Sequence, residues 1–167
     1  MMSSFSSPPS NSALALLSAS QVCVSVIRLA HAPQNLPAYA TPGSAGMDLQ
    51  AAIDTPWTLA PMERRLIPTG FIILVPEGYE AQVRARSGLS VKHGVTLING
   101  VGTIDSDYRD ELKIALVNLS DAPYTVTPGQ RVAQLLVAPV HRITWQTVEA
   151  SEVAGTARQG GFGSTGA

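Results

Sequence analysis

The stretch Tyr79-Glu-Ala-Gln-Val-Arg-Ala-Arg86 alternates without a break. Ala81, Val83 and Ala85 fall on one side of an extended chain and Gln82, Arg84 and Arg86 on the other, the two-residue period of a strand with one wet face. Further on, Leu112, Ile114 and Leu116 repeat that period. Around them lie short apolar segments at 22–28, 47–51, 63–68, 71–75, 96–98, 111–118 and 131–140, broken by proline and glycine. Pro76-Glu77-Gly78 and Pro128-Gly129 mark turns between them, since proline cannot donate to a central ladder. Many short strands punctuated in this way predict an all-β sandwich or jelly roll. One short helix is expected over 88–93, with Ser87 as its N-cap and Gly94 as its stop.

Composition narrows what such a fold can do. A chain of 167 residues is one domain by prior. It is long enough to bury roughly 70% of its unfolded surface. With 45% hydrophobic and 14% charged residues and a net charge of -1, it has no field to attract nucleic acid or an anionic membrane. A polyanionic ligand must be caught locally. The lone Cys23, inside the apolar alternation of 22–27, is expected to be a buried structural thiol. With no apolar run of membrane-spanning length and no basic secretory region, the expectation is a soluble, cytoplasmic protein. Residues 1–20 are rich in Ser, Pro and Ala and uncharged, and are expected to form a flexible tail outside the fold. A transit peptide would share the serines but needs arginines that this stretch lacks. The β domain is expected over 21–150, followed by a flexible glycine-rich arm over 151–167.

Five places gather groups that could carry chemistry. Asn99-Gly-Val-Gly-Thr-Ile-Asp-Ser-Asp-Tyr-Arg-Asp-Glu-Leu-Lys113 crowds carboxylates, a tyrosine and an arginine between two strands, and is expected to form one turn region held by rigid elements. A hairpin kept wet by its acids would carry the same residue types. Arg86-Ser87-Gly88 offers a guanidinium fork, a hydroxyl and an amide where a helix begins, a set suited to phosphate; a capped helix beside a surface arginine is the plainer alternative. In the tail Arg158-Gln-Gly-Gly-Phe-Gly-Ser-Thr-Gly166, Phe162 suits stacking on a flat group while glycine N–H groups meet phosphate oxygens. Gly43-Ser-Ala-Gly-Met-Asp48 and Gly129-Gln-Arg-Val-Ala-Gln134 place Asp48 and Gln134 on strands, in patterns that structure alone would also explain.

In order and spacing, Ala45-Gly-Met-Asp-Leu49, Arg86-Ser-Gly-Leu89, Gly102-Thr-Ile-Asp-Ser-Asp-Tyr-Arg109, Gly129-Gln-Arg-Val-Ala-Gln134 and Gly160-Gly-Phe-Gly-Ser-Thr-Gly166 resemble the five motifs of the trimeric dUTP pyrophosphatase (dUTPase) family. The resemblance covers about residue 21 to the C-terminus. It implies a jelly-roll subunit, a homotrimer, and Mg2+-dependent hydrolysis of dUTP to dUMP and pyrophosphate by in-line water attack on the α-phosphorus. That reaction keeps uracil out of DNA and supplies dUMP for thymidylate. By the same resemblance Asp105 activates or orients the water, and Asp48 holds magnesium through a water. Arg86, Ser87, Gly88 and Gln134 would contact the phosphates, with Arg158, Ser164 and Thr165 closing on the γ-phosphate. Asn99, Gly102, Thr103 and Ile104 would read uracil, Tyr108 would pack on the deoxyribose, and Phe162 would cover the base.

The chain departs from the family pattern at Ala85, usually proline, at Asp110, usually glycine, and in having one residue fewer between Arg158 and Gly160. Two rivals are distinguishable. A dCTP deaminase of the same fold needs a glutamate in the hairpin, and none precedes Glu111. A regulatory nucleotide-binding trimer would have no need of Asp48, Asp105 and Tyr108 together. His31, His93 and His141 lack ligand spacing and are assigned no metal.

Overall fold

Alternation is realised as strands throughout a computed structural model that describes residues 22–153 and 155. In chain order these are β1 (Ser25–Arg28), β2 (Met47–Gln50), β3 (Trp57–Leu59), β4 (Arg64–Pro68), β5 (Phe71–Leu74) and β6 (Tyr79–Ala85). Helix α1 (Ser87–His93) follows, then β7 (Val95–Leu97), β8 (Val101–Ile104), β9 (Lys113–Asn118), β10 (Tyr124–Val126), β11 (Arg131–Pro139) and a 3-10 turn, Ala150–Glu152. A four-stranded antiparallel sheet has the order β2-β11-β6-β8, a three-stranded one β4-β9-β7, and the pairs β1-β5 and β10-β3 complete the jelly roll. Leu49, Val83 and Leu135 of the larger sheet share one buried cluster with Ile67, Ile114 and Leu116 of the smaller. Each aliphatic side chain so buried contributes about 1.5–3 kcal/mol. Among the described residues no helix is long and apolar enough to cross a membrane.

The structure corrects four expectations. Residues 99–110 are not one turn: after β7 the chain leaves the smaller sheet, runs as β8 along β6 of the larger, and only then turns at Asp105–Tyr108. Strands β3 and β10, unread in the sequence, pair with each other through three residues apiece. Helix α1 begins at Ser87, not after it, and its N-cap is Arg86, with no side-chain capping bond. The Arg86 carbonyl, coming straight off β6, accepts from Leu89 and Ser90, which leaves the Ser87 and Gly88 amides at the helix start without an intrahelical acceptor. Gly94 does end the helix, in the left-handed conformation. Cys23 is exposed, because Val24 and Val26 are the members of the alternation that pack on the core, leaving Cys23 on the opposite side.

The turn joining β4 to β5 is tightly specified. Gly70 has a φ of +75°, and a Cβ there would sit 2.3 Å from the Ala32 Cα. Gly70→Ala is expected to cost about 2–4 kcal/mol, combining left-handed strain with overpacking. Chemical denaturation measures this; a loss below about 1 kcal/mol would contradict the packing described.

Candidate active site

On the outward face of the larger sheet, Asp48 of β2 lies opposite Gln134 of β11. Arg131 stands three positions before Gln134, so in a regular strand the two would face opposite ways. A bulge between Arg131 and Ala133 absorbs one residue, restoring Arg131 to the register position opposite Gln50 and thus to the face of Asp48. Arg131 Nη1 donates to Asp48 Oδ2 at 3.0 Å, and Arg86 Nε donates to Asp48 Oδ1 at 2.9 Å. Arg86 Nη1 also donates to the Arg131 carbonyl at 3.0 Å, closing a three-residue ring of contacts. Gln134 Nε2 donates to the Ala85 carbonyl at 2.9 Å, so strand end and helix start are tied together.

Asp48, Arg86, Ser87, Gly88 and Gln134 line one cleft of about 320 Å³. Two arginines against one carboxylate leave a positive charge in excess there. Arg131 belongs to this cluster through its ion pair with Asp48; it stands inside the Gly129–Gln134 motif, but its direction depends on the bulge and could not be read from spacing.

Asp105 lies elsewhere in the chain. It lines a separate cleft of about 660 Å³ with Asp107, Arg109 and Arg142. Among the described residues no ion pair engages its carboxylate, whereas that of Asp48 is doubly paired. The Tyr108 amide donates to the Asp105 carbonyl at 3.2 Å, which closes the turn. Arg109 Nη1 donates to the Ser106 and Tyr108 carbonyls at 2.8 and 2.9 Å and braces it. Burial, reinforced by Asp110 and then Glu111, pushes the Tyr108 hydroxyl pKa up, so this group stays a donor through the neutral range.

Leading into that turn, Gly102 lies opposite Val83, and a Cβ on it would meet Val83 Cβ at 3.3 Å and Asn99 Nδ2 at 3.2 Å. The absent side chain thus lets strand and amide close together. Thr103 and Ile104 continue β8, which is an edge strand of the larger sheet. Arg158, Phe162, Ser164 and Thr165 lie outside the described residues.

Fold and cleft define a class: a β jelly roll with a cationic cleft suited to anions. The profile of the dUTPase family matches residues 32–166. A deoxyuridine 5′-triphosphate nucleotidohydrolase of Wolbachia pipientis subsp. Culex pipiens (strain wPip) is 52% identical over 148 residues, 87% of this chain and 97% of the relative. The dUTPase of Staphylococcus bacteriophage 80alpha, solved with dUpNHpp, has a TM-score of 0.76 at 26% identity, covering 87% of this chain and 99% of that one. A mutant dUTPase from phage phi11 of S. aureus, described with the coordination of a structural Mg(II) ion, has a TM-score of 0.69 at 25% identity, over 78% of this chain and 99% of that one. The chain belongs to the dUTPase family.

Proposed function

We propose that this protein hydrolyses dUTP to dUMP and pyrophosphate, with Asp48, Arg86, Ser87, Gly88 and Gln134 at the phosphate subsite and Asp105 acting on the water. The observation that carries this assignment is the convergence of those first five residues on one cleft in a chain of this family. Water attacks the α-phosphorus, the bond to the α–β bridging oxygen breaks, and the water proton passes to the Asp105 carboxylate. A general base contributes about 10²- to 10⁴-fold, against about 10⁶ or more for an enzyme, so positioning and charge neutralisation supply the rest.

Because Asp105 and Asp48 line different clefts of one chain, a complete site draws Asp105 and Tyr108 from one subunit of a homotrimer and the phosphate cleft from another. Exposed Leu66 and Ile98, which border one shallow depression, support burial of apolar surface against further copies. Uracil meets Asn99, Gly102, Thr103 and Ile104, where the outer backbone groups of edge strand β8 are unpaired within the sheet. Tyr108 packs on the deoxyribose. Phe162 covers the base while Arg158, Ser164 and Thr165 close on the γ-phosphate. The substrate is a soluble nucleotide, and the reaction belongs in the cytoplasm.

The donor set fits a magnesium ion carried by the nucleotide rather than caged by protein. Asp48 is the carboxylate of the phosphate cleft, and among the described residues no group of three or more His, Cys, Asp or Glu converges to hold a metal. Mg2+ commonly takes one or two carboxylates, waters and substrate phosphates, and Asp48 would hold it through a water. Bound there, the ion supplies charge neutralisation on the phosphate oxygens.

Pyrophosphate release from dUTP, dTTP, dCTP and UTP, measured on the purified protein with Mg2+, tests the assignment. Turnover of dUTP with little of the other three is expected. Ammonia from dCTP, or dUTP binding without pyrophosphate release, would overturn it.

A further inference from the structure

We propose that Glu111 is the positioning residue of Tyr108, locking it from beneath through a three-segment junction with Gly70 and His31. This rests on the sugar-facing role assigned to Tyr108 above. The Tyr108 hydroxyl donates to the Glu111 carbonyl at 3.0 Å, so ring direction depends on where the backbone at Glu111 is held. Glu111 Oε1 accepts from the Gly70 amide at 2.8 Å and lies 2.8 Å from His31 Nε2. Its side chain is only 14% exposed. One carboxylate oxygen thus joins the β4–β5 turn, the loop after β1 and the foot of the Tyr108 turn.

Neighbouring bonds make this junction stiff. The Leu112 amide donates to the Phe71 carbonyl at 2.8 Å, and the buried Thr69 hydroxyl donates to the Leu112 carbonyl at 2.6 Å. The Leu29 amide donates to the Gly70 carbonyl at 2.9 Å, and Ala32 packs directly over Gly70. The Glu111 carbonyl and the Leu112 amide share one peptide plane, which Phe71 holds at its Leu112 end and the Glu111 carboxylate, through its own Cα, steadies at the other. Without that carboxylate the buried Gly70 amide loses its acceptor, and the Tyr108 ring gains freedom at its anchored end. A loosened ring excludes a 2′-hydroxyl less well, since rejection by contact requires a wall that does not yield.

The test compares kcat/KM for dUTP and UTP in the full-length wild type, Glu111→Ala, Glu111→Gln, His31→Ala and Tyr108→Ala. Glu111→Ala is expected to lower the dUTP:UTP preference about tenfold, chiefly by raising kcat/KM for UTP, a pocket-contact-sized effect. Glu111→Gln, which keeps an oxygen for the Gly70 amide, is expected to recover most of it, and His31→Ala to show an intermediate loss. A merely structural role would lower the melting temperature and leave the preference unchanged, and that result overturns the proposal. Should Glu111→Ala fail to fold, His31→Ala decides by the same criterion, its side chain being 37% exposed. If Tyr108→Ala changes the preference and the Glu111 variants do not, the positioning role alone fails. If Tyr108→Ala also leaves it unchanged, or the wild type does not turn over dUTP, the underlying assignment fails.

Discussion

Asp105→Asn is expected to lower kcat for dUTP by about 10²- to 10⁴-fold while leaving affinity for a non-hydrolysable analogue nearly unchanged, the signature of a lost general base. The substitution is isosteric, and the Asp105 atom that closes the turn is its backbone carbonyl, which accepts from the Tyr108 amide at 3.2 Å. Turn shape therefore survives. The Asp105 carboxylate is in no ion pair among the described residues, so its loss orphans no charge. Asp48 is the contrasting carboxylate, held between Arg86 and Arg131. Both Asp48 oxygens already accept from guanidiniums, whereas no ion pair among the described residues engages Asp105, which favours Asp105 for the water and Asp48 for the phosphate side. Single-turnover kinetics with dUTP, beside binding of the analogue, measure both quantities. A kcat within about threefold of wild type would remove Asp105 from the chemistry.

Legibility in the sequence followed the length of the pattern. Tyr79–Ala85 and Arg131–Pro139 are long enough to carry several periods, and both are strands. Trp57–Leu59 and Tyr124–Val126 hold three residues each, too few to establish a period, and only their pairing makes them strands. At Val101–Ile104 glycine misled in another way. Gly102 reads as turn punctuation, yet it sits mid-strand, where Val83 and Asn99 crowd the position a side chain would take. The family motifs pointed to Asp48, Arg86 and Gln134, and these converge on one cleft. Arg131 and Glu111, though inside stretches that read as chemistry-bearing, carry no role legible from spacing, because their directions come from a bulge and from a contact across 80 positions of chain. Neither arises from local periodicity.

Arg86→Lys is the sharper probe of the phosphate cleft, because it keeps the charge and removes only the fork. Through Nε and Nη1, Arg86 reaches the Asp48 carboxylate at 2.9 Å and the Arg131 carbonyl at 3.0 Å at once. A lysine ammonium is a single point on a flexible stem and cannot span both while also meeting a phosphate. Fold stability should change by about 0–1 kcal/mol, since the Arg86 and Asp48 side chains are 30% and 26% exposed and solvent screens their pairing. Transition-state stabilisation is far more sensitive, because a preorganised donor costs nothing to orient when charge shifts onto the leaving pyrophosphate. Loss of one such donor corresponds to about 10²- to 10³-fold in kcat/KM. The expected result is therefore an enzyme that melts almost as wild type does and turns over dUTP at least about a hundredfold less efficiently. Equal losses of stability and activity would instead assign Arg86 to holding β2 against β11, and would move the phosphate subsite away from this cleft.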